Sequence, residues 1–126
     1  MSTSARIVTD LLRPAVQEAW NVRAGDLEWS CRRTLDHIID TMLLYASAVA
    51  IRATGRSQWV PPRNGDPNAT IGDLLMILES SAAILERVCT ASPPPVRAFH
   101  PSGLSDADGF RAMACSEILT HADDIA

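Results

Sequence analysis

Cysteine is scarce in this 126-residue chain, with only three and no C-x-x-C spacing. An odd number so placed fits neither a disulfide framework nor a cysteine-rich zinc site, so Cys31, Cys89 and Cys115 read as reduced thiols in partly buried helices. Lys/Arg clusters are missing as well, and the formal net charge is −4, which argues against a nucleic-acid surface. No run of the eighteen or so apolar residues needed to span a bilayer is apparent. The first residues, M-S-T-S-A-R-I-V-T-D, lack the charged, then apolar, then small order of a signal peptide. Together these absences predict a soluble cytoplasmic protein with no nucleic-acid or membrane partner. Internal repeats, low-complexity tracts and a recognisable nucleophile elbow are absent too, so covalent catalysis by a side chain has thin support. Aromatics make up only 5% of residues, while 47% are hydrophobic and many of those are Ala and Leu. That balance suits one helical domain spanning 1–126, large enough to bury a real core.

Apolar spacing divides the chain into four helices. Residues from about Thr3 to Val22 carry Ile7, Leu11, Leu12, Ala15, Val16, Ala19 and Trp20 at helical intervals, interrupted by Pro14, which predicts one kinked helix. Ser30 is placed as an N-cap, and Leu35, Ile38, Met42, Tyr45 and Val49 make the seam of a second helix from Cys31 to about Ala53, ended by Gly55. Residues 55–69 carry prolines, Asn64-Gly65 and Asp66-Pro67 and form a long loop. Trp59 within it is expected either as a lid or as a plug at the end of the bundle. Thr70 caps a third helix, with Asp73 completing a capping box, and Ile71, Leu74, Leu75, Leu78, Ala82 and Leu85 run along its core face to about Thr90. The run Ala91-Ser-Pro-Pro-Pro95 stops it, Arg97–Gly103 reads as irregular, and Ser105 with Asp108 opens the last helix. The helical pattern is still running at Ala126, so sequence continuing beyond that residue is expected.

The chemistry concentrates in that last helix. At about 100° per residue, Phe110, Ala114, Glu117 and His121 share one narrow stripe. The first two mark the stripe as core-facing, yet it continues into a carboxylate and an imidazole. Side chains four apart lie roughly 5–6 Å from one another, and an unpaired buried carboxylate is costly, so a shared metal ion is the simplest partner. His37 lies on a packed stripe of the second helix with Thr41, Leu44 and Ala48 and supplies a third ligand. Two His and one carboxylate, with a fourth position left for water or substrate, is a catalytic zinc set. Non-haem iron or nickel accepts the same donors. Asp123 or Asp124, just beyond, is placed to orient an imidazole. His100, between Phe99 and Pro101, reads as a packing or turn residue, and Cys115 should point away from Glu117. Arg33, Arg63 and Arg97 are candidate anchors for an anionic substrate. Each histidine alone is more often a hydrogen-bonded core residue than a ligand, and a Glu–His pair four apart is common on solvated helices.

Two segments carry a resemblance. Trp29–Asp40, W-S-C-R-R-T-L-D-H-I-I-D, resembles the Trp, Ser/Thr, then His signature of the DinB-like four-helix bundles. Gly109–Ala126, with Glu117, His121 and Asp124 as E-x-x-x-H-x-x-D, is similar to an element of the metal-binding N-terminal domain of mycothiol-dependent maleylpyruvate isomerases. The resemblance implies an all-α four-helix bundle that holds a divalent metal, usually zinc, through His37, Glu117 and His121. It also implies a low-molecular-weight thiol such as mycothiol or bacillithiol, bound as thiolate to attack a small electrophile by S-transfer or by addition and elimination, and it leaves room for a homodimer. The C-terminal domain that completes the active site of those isomerases has no counterpart in these residues. A stand-alone or truncated relative with a different substrate is therefore expected. The competing expectations are a bundle with a closed, structural metal and a protein-interaction module without one.

Overall fold

A computed structural model describes every residue from Met1 to Ala126. Helices α1 (Ser2–Leu12), α2 (Cys31–Ile51), α3 (Ile71–Ala91) and α4 (Ala107–Ile125) account for most of the chain. Between α3 and α4 runs a short antiparallel hairpin, β1 (Ala98–His100) with β2 (Gly103–Ser105), pairing Ala98 with Ser105 and His100 with Gly103. Helix α2 packs against α3 and α4, while α1 lies against the other side of α3 and α4. One continuous cluster of 27 buried residues fills the space between them, centred on Leu35, Ile38, Ile39, Met42, Leu74, Leu78, Phe110 and Ile118.

The helix starts follow from local chemistry. The Ser30 side-chain oxygen accepts the Arg33 N–H at 3.1 Å, satisfying one orphan donor of α2. Thr70 and Asp73 form the reciprocal capping box of α3, with the Asp73 N–H donating to Thr70 Oγ1 at 3.1 Å and the Thr70 N–H donating to Asp73 Oδ2 at 2.9 Å. Helix α4 is capped by Asp106, which accepts the Gly109 N–H at 2.9 Å. The expected cap, Ser105, is instead the last residue of β2.

Three further expectations are corrected. The first helix is not one kinked rod: α1 stops at Leu12, and Pro14 lies in a single 3-10 turn, Arg13–Ala15. Proline's missing N–H is tolerated in that first turn. Beyond it the chain folds back, with the Trp20 indole N–H donating to the Ala15 carbonyl at 2.8 Å and an antiparallel bridge joining Arg23 to Ser30. Of the apolar residues that prolonged the helical spacing, this irregular segment buries Trp20 and half-buries Ala15 and Val16, while Ala19 stays exposed. Second, α2 ends on Arg52 in the left-handed conformation (φ 53°), while Gly55 is extended. Turning there seats Ala53 in the core, where its carbonyl accepts the Phe99 N–H of β1 at 2.7 Å. Third, the 21-residue α2 contains an 18-residue stretch of mean hydropathy 1.3, long and apolar enough to cross a membrane by length and composition. In this fold 61% of the qualifying stretch is buried inside the protein, and that enclosure accounts for its apolarity.

Candidate metal centre

His37 lies two turns into α2, and the facing stripe of α4 brings Glu117 and His121 against it. Glu117 Oε2 is 3.4 Å from His37 Nε2 and 3.5 Å from His121 Nε2, and the three donor atoms all lie within 4.8 Å of one another. They form a group able to hold a metal ion. The donors fit one: at zinc–nitrogen distances of about 2.0–2.1 Å, tetrahedral ligand atoms stand roughly 3.4 Å apart. The two short separations already match that spacing.

The surroundings fix each donor. His121 Nδ1 lies 2.9 Å from Asp124 Oδ2, so the proton resides on Nδ1 and the Nε2 lone pair faces Glu117 and His37. Asp124 is itself braced from outside the helix. Gly25, at φ +48°, lies beside it, and a β-carbon there would stand in van der Waals contact, 3.4 Å from Asp124 Oδ1. On the other side Trp29 lies against the His37 ring, centroids 4.9 Å apart, and carries the Arg33 guanidinium 5.2 Å from its own centroid. The hydrogen bond from His37 holds the Glu117 carboxyl below its ordinary value of 4.5. Burial opposes this, and the imidazoles of His121, His37 and His100 reinforce it. Glu117 is thus anionic at neutral pH.

A cavity of about 520 Å³ adjoins the cluster. Its floor is one face of α2, from Arg33 through His37 and Thr41 to Tyr45, with Glu117 on the α4 side. Its roof is the 55–69 loop, through Arg56, Trp59, Val60, Pro61 and Pro62, and its far end is the hairpin turn at His100 and Pro101. Trp59 is a wall of this space, packed on Phe99 with centroids 5.8 Å apart. The roof is fastened to α2 by two nearly buried carboxylates. The Arg63 and Asn64 N–H groups donate to the Asp40 carboxylate at 3.3 and 3.1 Å. The Arg63 side chain pairs with Asp40 at 3.4 Å and with Asp36 at 3.8 Å. Gly65, at φ +66°, sits directly on the Asp36 carboxylate, where no β-carbon has room. Burial pushes the Asp36 carboxyl above its ordinary 3.8, with Arg63 and Arg32 pulling the other way.

All three expected ligands come together, and Asp124, rather than Asp123, orients the imidazole. Of the three candidate anion anchors only Arg33 lines the cavity, and its buried Nη1 has no hydrogen-bond partner. Arg63 is spent on the loop, and Arg97 pairs with Asp106 at 3.7 Å. Cys115 points away from the site, its sulfur 3.7 Å from the Ser4 hydroxyl on α1. Tyr45 and Arg56 line the cavity without having been singled out for it. His100 has the packing and turn role its context predicts and faces the cavity in addition. Nothing in the local sequence marks Tyr45 apart from its neighbours on the core seam. Comparisons of the chain with protein-family models, with curated proteins and with solved structures return no match, which leaves the donor set and its cavity as the grounds for a functional reading.

Proposed function

We propose that His37, Glu117 and His121 hold one divalent metal, zinc in the first instance, in a bundle of the DinB-like type. Such a site would activate a low-molecular-weight thiol or water against a small electrophile. The observation that carries this reading is the convergence of three donor atoms, within 4.8 Å of one another, on the edge of a cavity. Structural zinc sites are closed by four protein ligands, whereas catalytic ones keep a position open. Three donors beside about 520 Å³ of space favour the open kind. When bound, a divalent ion supplies a Lewis acid that keeps a thiol or a water deprotonated near neutral pH.

The chain's own residues do the rest. Asp124 holds the His121 proton on Nδ1, so that Nε2 is the donor. Glu117 contributes negative charge, and Trp29 restrains the His37 ring. The roof loop places Trp59 and three successive apolar residues, Val60 to Pro62, along the cavity beside the cluster. The resemblance of Gly109–Ala126 to the metal-binding domain of thiol-dependent isomerases favours a thiol such as mycothiol over water as the activated partner.

Elemental analysis of the purified protein and of the His37→Ala and Glu117→Ala variants tests the site. About one zinc per chain, lost in both variants, is expected, together with thiol binding that depends on the metal. Equal metal in all three proteins, or none in any, would remove the reading.

A further inference from the structure

We infer that Tyr45 is a ligand-contacting residue of the cavity, its hydroxyl proton offered to an oxygen of the bound molecule, and that His100 is the positioning residue that directs it. The inference rests on the cavity being the ligand site, as proposed above, and not on the metal. Tyr45 is only 4% exposed, and its ring is wedged between Phe110 and His100 at centroid distances of 5.3 and 5.7 Å. Its hydroxyl has one hydrogen-bond partner, His100 Nε2, at 3.3 Å. The direction of that bond is decided on the other side of the imidazole. The backbone N–H of Ser102 points at His100 Nδ1 from 3.1 Å, and a backbone N–H only donates. Nδ1 is therefore the acceptor, and a neutral imidazole then carries its proton on Nε2. The Nε2–H donates to the Tyr45 oxygen, and the Tyr45 proton is left without an acceptor in the protein.

The protonation states agree with this geometry. Burial lowers the His100 pKa from its ordinary 6.5, against a smaller opposing pull from Glu117, which keeps the ring neutral. Burial, with Glu117 adding to it, pushes Tyr45 up to about 12, so it stays a donor and does not serve as a base. A buried hydroxyl proton with no acceptor is costly, and the donation it receives from His100 polarises it further. Tyr45 belongs to the wall of a cavity that Trp59, Pro61 and Pro62 line with apolar surface and Arg33, Arg56 and Asp40 with charge. Tyr45 lies two turns beyond His37 on the same face of α2, about 12 Å along the helix axis. The ligand class that satisfies these walls is a compact molecule with an apolar body and a carboxylate or carbonyl oxygen directed toward the hairpin turn.

Two measurements test it. Side-chain ¹⁵N spectra of the histidines at neutral pH should show His100 protonated on Nε2 in both metal-free and zinc-loaded protein, and a proton on Nδ1 would overturn the assignment. Benzoate serves as the probe for the cavity, titrated into the full chain with and without zinc. Tyr45→Phe keeps the ring packing and should weaken benzoate about tenfold in both forms, the loss of one hydrogen bond to a charged group. His100→Gln, whose amide still donates to the Tyr45 oxygen, should retain more affinity than His100→Ala. Equal affinity in wild type and Tyr45→Phe, equal losses in the two His100 variants, or no benzoate binding by the wild type would each overturn the inference. A failure of the metal reading is separately visible, because it appears as absent zinc while the Tyr45 difference persists in the metal-free protein.

Discussion

Asp124 touches no donor atom on the cavity side, yet it decides which nitrogen of His121 faces the cluster. Carboxylates in that position are worth about ten- to a hundredfold in metal affinity. Asp124→Asn, read by competition with a chromophoric chelator, should therefore weaken zinc binding by a factor in that range while far-UV circular dichroism stays unchanged. An unaltered affinity would mean that the 2.9 Å contact is incidental. At this scale the ligands were legible from sequence because Glu117 and His121 continue the stripe of Phe110 and Ala114, and both of those are fully buried. Asp124 was legible only as one of two candidates, with Asp123, and the structure distinguishes them. Tyr45 was not. A tyrosine on a core seam reads as packing, and its role depends on a hairpin turn more than fifty residues away that brings the His100 ring to its hydroxyl. Arg33 was legible only as a charge, since its place in the cavity follows from the stacking of Trp29.

Single elements account for the loop and for the acid behaviour. The 55–69 segment is held by Arg63, which serves the nearly buried Asp36 and Asp40 together while being itself 34% exposed. Arg63→Ala should cost on the order of 2 kcal/mol in urea unfolding, below the 3–5 typical of a fully buried pair because solvent reaches the guanidinium. It should also raise hydrogen exchange across residues 59–65. Two carboxyls respond to pH with opposite sign. The Asp73 carboxyl is held below 3.8 by its hydrogen bonds with Thr70, so its contribution is present above 3.8 and disappears as pH falls through the folded value. The Asp36 carboxyl is raised above 3.8 by burial. As pH rises from 3.8 the unfolded chain gives up that proton first, so stability falls until the folded value is passed. Unfolding midpoints measured against pH should have a shallower acid limb in Asp73→Asn, with the share that Glu117 contributes remaining, and in Asp36→Asn the decline just above 3.8 should flatten. The helix starts at Cys31 and Ile71 were readable because the caps are local chemistry. The end of α1 and the hairpin were not, since Ala15–Trp20 keeps a helical spacing while packing as an irregular return. Three-residue strands are likewise too short to show alternation.

The whole molecule has a core that does not depend on the cluster. The 27 buried residues form one apolar body, whereas His37 and Glu117 keep about a third of their side-chain surface exposed. Chelation should therefore leave the protein helical, and zinc should raise the melting temperature in proportion to the logarithm of its free concentration. Loss of helical structure in the chelated protein would indicate a metal that templates the fold. The separation of the ligands along the chain has a kinetic meaning. Glu117 follows His37 by eighty positions, and an unfolded chain that let one ion bridge them would first have to close that long loop. The complete three-donor set belongs to the docked arrangement of α2 and α4. Zinc should then leave the refolding rate almost unchanged and slow unfolding instead, in stopped-flow experiments with and without the ion. An ion held this way would act as a clasp on the finished molecule, and its lifetime in the site and the lifetime of the fold would become linked quantities.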